Sequence, residues 1–279
     1  MNAPMRRATL ILSAALLYAV AIPAHRDASG GEAVVPSSTP RPTPSCSPCM
    51  MRIVFSENFD NVMPPTLPLG WIATNAQGPP PLWVTSNAGV PPPPYDSFPN
   101  AAFIDDPAVV SDKRLDSAPI YGPILEPETP FTFRHSYNLE ASGNDPNLGF
   151  DGGVLEISID NGNTYQDILA IGGTFLTGGY NRTISTDRGS PIAGRQAWSG
   201  NSGGFISTEF TLPFIFAGGL RVRWRMVSDT TGTGEGWRVD TIYAAWCIAM
   251  SCNTPTATPT PRRTPAPRSR PTPLPRPTP

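Results

Sequence analysis

Apolar and polar residues alternate strictly along several stretches of this chain, and few stretches show a helical period. Phe131, Phe133, His135, Tyr137 and Leu139 fall on one side of a two-residue repeat, with Thr132, Arg134, Ser136, Asn138 and Glu140 on the other. Successive side chains of a strand point to opposite faces, so this pattern predicts a half-buried strand. Leu155, Ile157 and Ile159 repeat it against Glu156 and Ser158, and Asp160-Asn161-Gly162 then turns the chain into Thr164–Leu169. Further strands are predicted over Phe205–Leu212, over Leu220–Met226 with Arg221, Arg223 and Arg225 on the polar side, and over Trp237–Ile248. Glycine pairs punctuate these runs and no strand–helix rhythm occurs, so the pattern predicts an all-β fold, an antiparallel β-sandwich or jelly roll.

Composition sets the limits of that fold. Of the 36 prolines, seven lie in residues 1–51 and ten in 253–279, a higher density than that of the 19 in residues 52–252. Residues 1–24 read as a signal peptide: Arg6-Arg7, an uncharged run from Ala8 to Ile22, and a small-residue exit at Ala24. That run is shorter than the ~20 residues that span a bilayer. Residues 25–51 form a Pro/Ser/Thr-rich linker, 52–252 the sandwich domain, and 253–279 a Thr/Pro/Arg-rich tail that cannot bury a core and is expected to be disordered. The reading is a secreted or cell-surface protein, a monomer, with a tail able to touch the cell envelope. Formal charge is −9 over residues 52–252 and +5 over the tail. An acidic domain lacks the cationic surface that nucleic acid requires, which excludes that partner.

Export favours disulfides among Cys46, Cys49, Cys247 and Cys252 over a zinc site, since no histidine lies nearby. If the first and last strands are antiparallel neighbours, pairs 46–252 and 49–247 have nearly equal residue sums and would staple the domain ends. Local pairs 46–49 and 247–252 stay open.

Several short motifs, in order, carry a resemblance. Glu57-Asn58-Phe59-Asp60, Leu67–Trp71, Phe150–Ser158 with Asp160–Gly162, Trp198–Gly204 and Trp237–Ile242 together resemble bacterial concanavalin A-like (MAM-like) jelly rolls. Such modules occur beside secreted peptidases of the immune-inhibitor A type and in surface proteins. The resemblance implies a non-catalytic binding or adhesion role toward glycan or extracellular protein. It also implies a structural calcium ion between the first and last strands. Asp60 and Asp240, with Glu57 and Asp105, are the expected ligands, as hard oxygens suit calcium and clustered carboxylates repel without a cation. Thr241 stands where a second acid is frequent in that family. Trp198, Asn201, Trp237 and Arg223 are the candidate ligand-binding residues, at loop rims and on the arginine row.

Two catalytic readings are weaker. Gly200–Gly204 mimics a serine-peptidase nucleophile loop, but Asn201 replaces the aspartate and His135 lies on an apolar strand face. Glu156 and Asp160 share a strand face like the acids of some glycoside hydrolases. Their Cα atoms would lie about 13 Å apart, too far for a retaining pair. The chain is read as not an enzyme, with a hydrolase or a purely structural surface protein as alternatives. Arg221, Arg223 and Arg225 are expected to pair with Glu156, Asp160 and Glu140 on neighbouring strands.

Overall fold

The five long alternating runs are all strands in the computed structural model, which describes residues 50–89, 93–121, 129–213 and 219–248. These lie within one unit, Pro44–Pro279. The expected signal segment, most of the linker and the tail lie outside the described residues, as do Cys46, Cys49, Cys252 and the side chain of Cys247. The described strands are β1 Met50–Glu57, β2 Ile72–Gln77, β3 Val84–Ser86, β4 Ala101–Ile104, β5 Ser111–Asp116, β6 Phe131–Asn138, β7 Leu148–Gly149, β8 Gly152–Ser158, β9 Gln166–Asp167, β10 Thr174–Thr177, β11 Arg182–Ile184, β12 Gln196–Ala197, β13 Ile206–Thr211, β14 Arg221–Ser228 and β15 Gly236–Ile248. No helix occurs among the described residues.

Two sheets make the sandwich. One has the order β10-β13-β6-β15-β4-β3, with β1 also on β15; the other runs β2-β5-β14-β8-β9. The pairings within both are antiparallel. β1 pairs with β15 so that Met51 stands opposite Cys247, the neighbour relation that the end-stapling disulfides presuppose. Alternation becomes core because one face of each strand meets the other sheet. Leu115, Trp224 and Leu155 stand side by side across β5, β14 and β8. Phe133 of β6 meets Trp224 edge-on at 5.5 Å, and Trp71 stacks on Trp224 at 5.8 Å.

β8 departs from the half-buried expectation, since all seven of its residues are buried. Its outer side is covered by a small sheet of β12, β11 and β7, with Val154, Ile184, Ile192, Ala197 and Val227 packed together. This explains Gly152 and Gly153. A Cβ at Gly152 would sit 2.7 Å from Ile184, and one at Gly153 2.6 Å from the Trp237 ring, so each glycine allows a side chain to lie on the backbone.

Candidate functional site

β15 is long enough to hold two partners on one edge. β1 occupies it from Ile242 onward, and β4 occupies it from Trp237 to Val239. Between them Asp240 and Thr241 pair with neither, and the register against β6 slips between Asp240 and Tyr243. Thr241 takes a left-handed φ of 45° at this bulge, and Phe59 takes 61° in the loop facing it. A threonine in that region is strained, and such residues concentrate where a site is being shaped.

The loops after β1 and before β4 fill the gap. Asp240 is buried, and its Oδ2 accepts the backbone N–H groups of Asp96 at 2.7 Å and Ser97 at 2.9 Å. Its Oδ1 accepts Thr241 N–H at 2.6 Å and the Ser97 hydroxyl at 3.4 Å. The same hydroxyl lies 2.8 Å from Oδ2 of Asp60, which also accepts Asn58 Nδ2, while Asp60 Oδ1 accepts Asn100 N–H. Burial raises the Asp240 carboxyl to about 6 and the charge of Asp60 adds to this, against the pull of the backbone N–H groups. Above this network lies an open groove of about 520 Å³, lined by Glu57, Asn58, Ser97, Thr132, Thr241 and Tyr243 among others. Next to Ser97, Phe98 is 76% exposed and meets Tyr95 edge-on at 5.4 Å.

The structure thus brings Glu57, Asp60 and Asp240 into one region. Glu57 Oε1 accepts the N–H groups of Asn58 and Phe59, closing the turn. A calcium ion needs oxygens with lone pairs to spare. Here both oxygens of Asp60 and of Asp240 face donors, so the pair as placed is tied by hydrogen bonds to the loops around it. Asp105 does not join them. It follows the β4 residue opposite Trp237, several residues along β15 from Asp240, and its carboxylate pairs at 2.7 Å with the fully buried Lys113.

The ligand-binding candidates need correction. Trp198 and Trp237 are both fully buried and lie against His135, so neither ring can meet a ligand. Trp237 Nε1–H donates to His135 Nδ1, whose Nε2 pairs with Thr208, a satisfied core histidine and no nucleophile's base. Burial depresses the His135 imidazole to about 3. Arg223 is clamped in two hydrogen bonds to Asp116 and lies over the Tyr165 ring at 3.4 Å. Asn201 is exposed, but its Oδ1 closes a turn on Gly203 N–H.

The arginine row finds acids, though not all the expected ones. Arg225 is bidentate to Asp112 and reaches Glu156, which Arg195 also contacts. Burial alone would raise the Glu156 carboxyl, but Arg225 and Arg195 outweigh it and hold it ionised. Asp160 caps its own turn through Ser158 and Thr164, and Glu140 pairs with Arg188 instead.

Sequence reasoning missed Tyr95, Asp96, Ser97 and Phe98. They lie in a proline-rich stretch without alternation, and only their aromatic and polar content in a loop hinted at a site. Nor did it group Glu140, Asp151 and Asp229, an acid cluster beyond the far end of β6 drawn from three separate segments.

No protein-family model matches the chain, and no curated protein does. Among solved structures, the chain is similar to TmCBM61 in complex with β-1,4-galactotriose, at 10% identity and a TM-score of 0.38, covering 69% of this chain and 99% of that one. It is also similar to the K1 and K3 cleaved adhesin domains of Lys-gingipain from Porphyromonas gingivalis. Each is 16% identical and covers 70% of this chain, with 97% and 99% of theirs and TM-scores of 0.36 and 0.35. Likeness of this size assigns neither site nor ligand.

Proposed function

We propose that this chain is a secreted or cell-surface, non-catalytic module that binds an extracellular partner, a glycan in our reading, through the groove beside Ser97. The observation that carries it is the groove itself. Carboxylate, amide and hydroxyl groups from Glu57, Asn58, Ser97, Thr132 and Thr241 line an open space, and next to Ser97 the exposed Phe98 ring rests on the half-buried Tyr95. A sugar offers hydroxyls to such groups and an apolar face to such a ring. Hydrogen-bonded loops on a rigid sheet edge hold these groups in place before binding, which lowers the ordering cost. Oxidised cysteines closing the domain ends belong to the same reading, and peptide mapping without reduction checks them.

The test is a glycan array on the purified chain, followed by calorimetry with the best oligosaccharide. Phe98→Ala is expected to weaken binding about tenfold or more while leaving the melting temperature unchanged. A blank array, or binding indifferent to Phe98→Ala, would count against the groove and turn attention to a protein partner. Release of reducing sugar from a polysaccharide panel would overturn the non-catalytic reading.

A further inference from the structure

The end of the sandwich opposite the groove collects acids from segments far apart in sequence. Glu140 follows β6, Asp151 precedes β8, Asp229 follows β14, and Asp106 follows β4. Asp151 and Asp229 are fully buried and Asp106 is nearly so. Each spends one oxygen on backbone. Asp151 Oδ1 accepts Asp229 N–H at 2.6 Å, Asp229 Oδ1 accepts Thr231 N–H at 2.7 Å, and Asp106 Oδ2 accepts Gly234 N–H at 2.8 Å. The other oxygen of each, Asp151 Oδ2, Asp229 Oδ2 and Asp106 Oδ1, is buried and faces no N–H or hydroxyl donor, and the Asp106 and Asp151 carboxyl groups face each other. Buried acceptors without donors are costly, and buried carboxylates more so.

One cation is nearby. Arg188, lying over the Phe150 ring, donates to Glu140 Oε1 at 3.0 Å and stands 3.9 Å from Asp229 Oδ2. It is partly exposed and comes from the rim, and no contact joins it to Asp151. One guanidinium therefore faces four acids.

We infer that Glu140, Asp151 and Asp229 form a divalent cation site, with calcium as the ion. An oxygen from each of the three lies within 4.8 Å of the others. Ligands on opposite sides of one calcium ion, at 2.3–2.6 Å each, span up to about 5 Å, so shifts of a few tenths of an ångström let one ion touch all three. Gly232 and Gly234 let the β14–β15 loop close over the acids, because a Cβ at Gly232 would overlap the Glu140 carboxylate and one at Gly234 the Asn138 carbonyl. The ion would be structural, tying the ends of β6, β8 and β14 together. This rests on geometry independent of the groove.

The experiment strips the purified full chain with a chelator and titrates calcium chloride by calorimetry, with melting curves in calcium and in chelator. One bound ion and a higher melting temperature in calcium are expected. Asp151→Asn and Glu140→Gln should each weaken binding tenfold or more, while Asp240→Asn leaves it intact. No calcium heat from the stripped wild-type chain overturns the inference. So does binding lost in Asp240→Asn and kept in Asp151→Asn, and so does magnesium bound as tightly as calcium. Should Asp151→Asn fail to fold, Glu140→Gln, at a half-buried position, decides the matter.

Discussion

Two groups of carboxylates lie at opposite ends of β6, one beside Thr132 and one beyond Asn138, roughly 25 Å apart at a strand's rise. At the groove end, each oxygen of Asp60 and of Asp240 meets a donor from the backbone, Asn58 or Ser97. At the far end, Asp106, Asp151 and Asp229 each keep an oxygen that meets none. The count of acids is similar, but their chemistry is opposite. A carboxylate facing N–H groups acts as a clamp on loops, whereas carboxylates facing each other demand a cation or a proton. Acid clusters in a sequence therefore do not identify a metal site until the donors around them are known.

The largest expected effect breaks the clamp. Asp240→Asn puts an amide donor where Asp96, Ser97 and Thr241 present N–H groups, and should cost about 3 kcal/mol in chemical denaturation. A loss below about 1 kcal/mol would mean the groove end is not held by these bonds.

His135, midway along β6, offers a probe common to both ends. Its folded pKa of about 3 lies below the ordinary 6.5, so the unfolded chain takes up a proton that the folded chain refuses. The stability this contributes is fully present above pH 6.5 and declines as pH falls toward 3. The loss should be about 2 kcal/mol by pH 5 from this residue. Nitrogen NMR should show a neutral imidazole at pH 5; a protonated ring there would refute the buried Trp237–His135–Thr208 chain.

The sharpest contrast lies in the response to calcium. In chelator, Asp151→Asn is expected to change stability by less than about 1 kcal/mol, because burial and the charge of Asp106 already keep a proton on that carboxyl, against the loss from the same change at Asp240. In saturating calcium the same change should destabilise the chain, because a ligand of the ion is lost. Destabilisation by Asp151→Asn in both conditions would make the two ends alike. The smallest effect on stability belongs to Phe98→Ala, within about 0.5 kcal/mol, because the ring lies outside the core. Its effect should fall on ligand binding alone, and a large shift in melting temperature would mean that the ring is part of the fold.

The faces of β6, β13, β14 and β15 were legible from alternation, because a two-residue period is a local property that survives whatever the strand packs against. The pairing of Arg225 with Glu156 was legible too, since both lie on polar faces of strands that became neighbours. Asp112 and Asp116 were not anticipated as partners, because β5 reads Ser-Asp-Lys-Arg-Leu-Asp and shows no apolar alternation. Trp198 and Trp237 flank loops in the sequence, a position that suits either a ligand-facing ring or one that caps the sandwich. Only the closing of β8 under the small sheet, with Gly153 admitting the Trp237 ring, shows them to be interior. The sequence by itself determined an all-β chain with strands of known faces and a domain rich in acids. Tertiary structure decided which acids meet donors and which meet each other. That outcome depends on strand order, on two partners sharing one edge of β15 and on loops closing over β6, β8 and β14, contacts between residues too distant in sequence for any local pattern to record.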